Sequence, residues 1–332
     1  MYFHVNCRVE TTVPLRFPAR NSRENPCRLT GWGTMKRFWT GWPTLAVALA
    51  CYGGWAAALM MAGSWPAFAW APILIVTITW HSSLQHEALH GHPFASATAN
   101  ESLVFPALGL FVPYRRFRTL HLSHHRDPNL TDPYDDPESF YLDPARWQAM
   151  AWPLRRLLAI NNTLAGRVIL GPAIGLALFW RRECAATART DRQVAAAWLI
   201  HLAALAPVIA VIALSAVPLW AYAICAYAGM GLLMLRTFLE HQAHALARCR
   251  TVVIEDRGPL ALLFLNNNFH VVHHVHADAP WYDLPRLYRQ KRDWYLQLNG
   301  GYRFRSYGEV IRRYAFRSKE AVPHPFYRSA DG

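Results

Sequence analysis

Four stretches of the chain carry almost no charge. Gly41 to Trp65 is an uninterrupted apolar run. As a helix rising about 1.5 Å per residue, it is long enough to cross a hydrocarbon layer of about 30 Å. Pro66 marks a turn, and a second run, Ala67 to Ser83, follows at once. Gln193 to Val217 is a third run, interrupted only by His201, and Pro218 to Leu235 is a fourth, closed by Arg236. The turns inside each pair are short and uncharged. The pattern predicts two helical hairpins, each entering an apolar phase and returning to the face it left. Between them, residues 84–192 are mixed. Leu157 to Trp180 is semi-apolar there but broken by Asn161, Asn162, Arg167 and Pro172, so an interfacial or partly buried helix is expected rather than a clean span.

Composition supports a membrane protein. Of 332 residues, 53% are hydrophobic and 17% charged, with a mean hydropathy of +0.05; soluble domains carry about a quarter charged residues. The net charge of +13 collects beside the apolar runs, not in a stripe. That distribution speaks against a nucleic-acid partner and predicts, by the positive-inside rule, that both termini and the polar segments face the cytoplasm. Cys7, Cys27, Cys51, Cys184, Cys225 and Cys249 form no C-x-x-C pair and suggest neither a zinc ribbon nor a disulfide framework. No apolar run follows Met1 closely, so a cleaved signal peptide is not expected. The expected fold class is all-α: a multi-pass integral membrane protein with about four transmembrane helices and a cytoplasmic, histidine-rich di-metal head. Its expected parts are a basic N-terminal tail (1–40), the membrane domain (41–282) and a basic C-terminal cytoplasmic tail (283–332).

The chemistry lies beside the hairpins. His270, His273 and His274 stand in LNNNFHVVHHVHADAPWY, His121, His124 and His125 in RTLHLSHHRD, and His86 and His90 in QHEALHGHPF. Positions i, i+3 and i+4 of a helix share a face, and imidazole suits Zn, Fe, Cu or Ni. Two H-x-x-H-H matches in one chain have a chance of roughly one in a thousand, which makes coincidence a poor account. Eight box histidines exceed the four positions of a tetrahedral zinc site and point to two metals of higher coordination number.

HEALH, HLSHH and HVVHH, with a membrane hairpin before the last, resemble the three histidine boxes of the membrane fatty acid desaturase superfamily, over roughly Trp65 to Tyr282. The resemblance implies an all-helical fold holding two iron ions at the cytoplasmic ends of its spans. It also implies His86, His90, His121, His124, His125, His270, His273 and His274 as ligands. A further histidine usually comes from the end of the last membrane helix. Here LEHQAH offers His241, favoured by its Glu-His pair, or His244. Glu87, Asp127, Glu240 and Asp278 stand beside the boxes as candidates to orient ligand rings. Asn266, Asn267 and Asn268, Asn267 foremost, could do the same or cap the third-box helix.

The implied activity is an O2-dependent fatty acid desaturase acting on a lipid acyl chain. Hydroxylation or carotenoid ketolation is the alternative within the superfamily. The sequence has neither a four-cysteine iron–sulfur spacing nor a G-x-G-x-x-G fingerprint, so a separate, ferredoxin-like electron donor is expected. Two readings from other classes remain: HEALH also fits the H-E-x-x-H zinc metalloprotease motif, with Glu87 as base, and buried histidines could serve a metal transporter. His92 and His276 extend the boxes as supporting or solvated groups, and His81 and His201 lie inside apolar runs as functional or hydrogen-bonded core histidines. His4 and His324 carry no signal. Arg115, Arg116 and Arg118 read as lipid- or donor-facing charges or as simple anchors, and Trp281 and Tyr282 as an interfacial belt or the mouth of an acyl tunnel.

Overall fold

A computed structural model describes residues 41–189 and 191–327. The expected basic segment 1–40 lies outside the described residues. The first apolar run forms α1, Trp42–Met61, with Pro43 in its first turn, where a missing N–H breaks no helical bond. Pro66 stands extended ahead of α2, Ala67–Leu89, which runs six residues past the apolar stretch and carries His86 inside its last turn. The second box lies on α3, Tyr114–His124. Next comes α4, Leu164–Ala188, capped by Thr163. The second hairpin is α5, Arg192–Ala213, whose first amides are capped by Asp191, and α6, Leu219–Thr237. The third box forms the short α7, His270–Val275. Near the C-terminus stands α8, Tyr307–Tyr314.

Five of these helices, α1, α2, α4, α5 and α6, are long and apolar enough to cross a membrane. Four are the expected hairpin helices and α4 is additional. Helix α2 packs between α1 and α6, and α6 also packs on α4. The α4–α6 contact is close because Gly231 has no side chain: a Cβ there would lie 2.5 Å from the Val168 carbonyl oxygen. Trp55, Leu74, Ile78, Tyr222 and Ala226 fill the hairpin core. Its polar atoms are satisfied in series, Trp55 Nε1 donating to Tyr222 Oη at 2.8 Å and Tyr222 Oη to the Leu108 carbonyl at 3.0 Å, as an apolar interior requires.

The two ends of α4 explain its mixed composition. Ala165 N donates to the Ala315 carbonyl, in the histidine-bearing head, at 2.9 Å. Near the other end, Glu183 pairs with both Arg116 Nε and Nη2, at 2.8 and 2.9 Å, and Arg116 lies on the second-box helix α3. Both ends therefore meet elements of the histidine layer. Helices α2 and α6 also end at that layer. A single extra crossing by α4 would put those two ends on opposite faces.

The expected C-terminal tail contains folded elements, among them helices Leu284–Gln290, Arg292–Leu298 and α8. Residues 253–254 and 303–304 form a parallel strand pair, β1 and β2. Tyr288 and Tyr295 pack on Phe269, Val271 and Val272 behind the third box. Tyr307, Val310 and Tyr314 pack on Phe238, Leu239 and Ile254 behind the end of α6. The anchors are single aromatic residues spaced among arginines. They bury a large area each without making an apolar run.

The hairpin arrangement predicts a labelling pattern. In an otherwise unreactive background, Ser64→Cys and Ala216→Cys should react with an impermeant thiol reagent from one membrane face. Thr119→Cys and Arg182→Cys should react only from the other. Arg182→Cys reacting together with Ser64→Cys would mean that α4 crosses.

Candidate metal centre

Nine box and hairpin-end histidines converge in two adjacent groups. His86, His90, His121, His125 and His273 form the first, and His124, His241, His270 and His274 the second, with the ligand-type atoms of each within 4.8 Å of one another. The division follows from helix geometry. Residues i and i+4 lie about 40° apart around a helix, while i+3 and i+4 differ by about 100°. In each H-x-x-H-H box the i, i+4 pair therefore enters one group and the i+3 ring the other. His121 and His125 go to the first group and His124 to the second; His270 and His274 go to the second and His273 to the first. The boxes fork, rather than pointing all three rings one way.

The nitrogens face one another. His121 Nε2 lies 3.2 Å from His90 Nε2 and 3.0 Å from His125 Nε2, and His273 Nε2 lies 3.0 Å from His125 Nε2. In the second group His270 Nε2 lies 3.0 Å from His241 Nε2 and 3.1 Å from His274 Nε2. The rings of His125 and His274, one from each group, stack at 4.4 Å.

Residues 63–306 match the sequence model of the fatty acid desaturase family. The chain belongs to the fatty acid desaturase family. The match runs further than the boxes themselves and includes both short strands of the head. No individual curated protein matches the chain.

Iron ions are the family's resident metals, and the residues present fit them. A neutral imidazole has one N–H and one lone pair, so chains of Nε2 atoms about 3 Å apart cannot all be satisfied by one another. Two carboxylates each take up an Nδ1 and leave Nε2 as the nitrogen that faces inward. His121 Nδ1 lies 2.7 Å from Glu138 Oε1, and His124 Nδ1 lies 2.8 Å from Asp136 Oδ1. A carboxylate only accepts, so in each ring the Nδ1–H donates to it. His86 Nε2, His124 Nε2 and His241 Nδ1 are buried without a hydrogen-bond partner, each a cost of about 1–3 kcal/mol if left so.

Protonation favours lone pairs. Burial, then neighbouring imidazoles, holds His90 down to about 2 and His125 down to about 3. Burial first, then neighbouring histidines, lowers His241, His270, His273 and His274 too. His124 is the exception: burial opposes its charge, but the Asp136 hydrogen bond and Glu138 outweigh it and push it up to about 9. A cation at Nε2 must displace that proton.

Behind the second group, Arg236 Nε forms an ion pair with Glu240 Oε1 at 2.8 Å, and that oxygen accepts from Asn267 Nδ2 at 2.8 Å. Asn267 Oδ1 in turn lies 3.4 Å from His270 Nδ1. Burial raises the Glu240 carboxyl although Arg236 beside it works the other way.

The remaining candidates singled out from the sequence separate clearly by position. His241 stands in the second group; His244 does not, its Nδ1 accepting from Leu246 N at 3.0 Å. Glu87 Oε1 accepts from Trp281 N at 3.1 Å, and Trp281 Nε1 donates to Thr44 Oγ1 at 3.1 Å, so this pair ties α1 and α2 to the head. Asp278 meets the first-box region through its backbone carbonyl, 2.9 Å from His92 Nε2. Asp127 Oδ1 accepts from Asn129 N. His276 Nε2 lies 2.9 Å from Tyr295 Oη. His81 meets Tyr52 Oη, and His201 the Leu110 carbonyl; both are hydrogen-bonded core histidines. Asn266 and Asn268 hold backbone carbonyls of Trp281, Ile254 and Asp256, and α7 has no side-chain cap. Arg115 pairs with Glu101, and Arg116 with Glu183. Sequence reasoning missed Asp136 and Glu138. The signal was present: acceptors in the loop DPYDDPES, directly after a box whose rings need orienting.

Two expectations follow. His241→Ala should lower bound metal markedly, whereas His244→Ala should leave it near wild type; the reverse order by elemental analysis would place the extra ligand at His244. Asp136→Asn should weaken metal retention against a chelator by about 10–100-fold, because an amide no longer fixes the His124 tautomer.

Proposed function

We propose that the chain is a membrane-bound, di-iron acyl-lipid desaturase. The observation that carries this reading is the pair of adjacent histidine groups at the ends of apolar helices, in a chain of this family. In the proposed ligand set, His86, His90, His121, His125 and His273 hold one ion, and His124, His241, His270 and His274 the other. When bound, the irons supply what no side chain here can: activation of O2 and removal of hydrogen from an unactivated C–H bond.

The protein's own residues do the positioning. Glu138 and Asp136 keep His121 and His124 in the tautomer that presents Nε2. Asn267, held by Glu240, sits behind His270. Imidazole ligands bring no negative charge into a buried site. The proposed reaction removes two hydrogens from neighbouring acyl carbons. Two external electrons and two protons complete the reduction of O2 to two waters. A separate ferredoxin-like protein is the proposed donor, and the Arg/Lys asymmetry favours a cytoplasmic site. Hydroxylation, with one oxygen retained in the product, or carotenoid ketolation is the second outcome the same ligand arrangement supports.

Readings from other classes fit less well. A metalloprotease needs Glu87 as a base beside the metal, yet its carboxylate receives the Trp281 amide. A transporter favours sites near the bilayer midplane, whereas these groups lie at helix ends.

Cells with and without the gene should differ in acyl-chain unsaturation by lipid mass spectrometry. Purified protein should carry two irons per chain and form product only with O2 and a reductant. Full activity with zinc and no iron, or turnover without O2, would sink the oxygenase reading. A hydroxylated lipid in place of an alkene would select the alternative.

A further inference from the structure

The C-terminal segment 317–324 lies beyond the family match, which ends at residue 306. It nevertheless touches the supports of both His241 and His124. Lys319 Nζ, on a side chain only 4% exposed, donates to the His241 backbone carbonyl and lies 3.2 Å from Glu320 Oε1. Glu320 accepts from the Tyr141 hydroxyl, and its Oε2 accepts from Ala243 N at 3.3 Å. Tyr141 Oη also accepts from Ala243 N, at 2.8 Å. The segment thus grips residues 241 and 243 from one side, while Thr251 pairs with His241 from the other.

The same segment secures the acidic loop. Leu142 N donates to the Val322 carbonyl at 3.1 Å, and His324 N to the Leu142 carbonyl at 2.8 Å. His324 Nδ1 accepts from Phe326 N, which leaves its Nε2–H to donate to Thr131 Oγ1 at 3.0 Å. Thr131 N donates to Asp136 Oδ2 at 2.8 Å, and Asp136 is the carboxylate that fixes His124. The segment is itself fastened to the start of α4, Lys319 N donating to the Asn162 carbonyl at 3.1 Å and Asn162 Nδ2 to the Glu320 carbonyl at 2.6 Å. Phe140 lies under Lys319 and Arg167, 5.0 and 4.4 Å from its ring centre.

We propose that this segment is a clasp for the second metal ion, with Lys319 and Glu320 as positioning residues that set His241 and steady the loop behind His124. The proposal rests on the metal-centre reading above. His241 is the one proposed ligand outside the three boxes, and it sits past the end of α6, where no helix turn fixes it. Its ring position depends on its backbone, and Lys319 binds that backbone directly. A buried ammonium is costly unless paired, so its placement against one carbonyl and one carboxylate makes the clasp specific rather than a general surface contact.

The test uses the full chain in detergent, loaded with Fe2+ under anaerobic conditions. Lys319→Met should lose one of two irons to a chelator about 10–100-fold faster than wild type, while the other is retained. His241→Ala should show the same one-ion loss, and the double variant should lose no more than either alone. Lys319→Arg, which keeps a donor, should recover the second ion at least in part. Glu320→Ala, which removes the grip on Ala243, should repeat the selective loss. The clasp is overturned if Lys319→Met and Glu320→Ala both retain two irons at the wild-type rate. It is equally overturned if both variants release the two irons together, because the segment would then support the whole head. Failure of wild-type protein to bind two irons would count against the metal-centre reading itself, a separate result.

Discussion

The rest of the molecule depends on a set of buried nitrogen lone pairs that face one another. Nε2 atoms 3.0–3.2 Å apart are too few in protons to satisfy each other and too deep for water to do so freely. A fold that holds them there without a cation gives up hydrogen bonding on several buried groups at once. With a cation, those lone pairs would gain partners, and metal binding contributes to folding when the site is formed only in the native state. The surrounding carboxylates make sense in this light. Asp136 and Glu138 fix which nitrogen carries the proton, so the lone pairs cannot escape inward conflict by switching tautomer.

That constraint dictates how the chain must run. Each ligand group needs rings from several separate segments, and the ends of α2 and α6 must therefore lie on one face. Two uncharged hairpins achieve this with the least chain, because a hairpin returns to the face it left. Helix α4 is long and apolar enough to cross a membrane, yet Arg167 is buried near its start and Glu183 near its end. Its ends are tied to the head and to α3 by the Ala315 and Arg116 contacts. The Pro172 and Arg167 interruptions that weakened its reading as a span belong to a helix that braces the second box.

The legible parts were those with a period. Apolar runs of helical length gave the hairpins, and i, i+3, i+4 spacing gave the boxes. The fork of each box between two histidine groups was also implicit in the helical step of about 100° but needed both partners in view. Three things carried no periodic signal. The orienting carboxylates Asp136 and Glu138 reach back 12 and 17 residues through an irregular loop, and no periodic rule reports such a reach. The choice between His241 and His244 depends on where the chain turns after α6, and both follow its end closely. The C-terminal segment buries isolated aromatics such as Tyr295 and Tyr307, and its exposed arginines dominate any local average.

The proposed ligand that lies outside the boxes is the one that required most construction around it. Box histidines inherit their placement from helices, where one ring's position fixes its neighbours. His241 has no such neighbour. Its backbone is set by Thr251 on one side and Lys319 on the other, and Glu240 before it is engaged by Arg236 and Asn267. Several remote segments thus supply what one helical turn supplies elsewhere. A ligand held in this way is the natural point at which segments outside the shared family region can act on the metal centre, because moving it leaves the helical boxes intact.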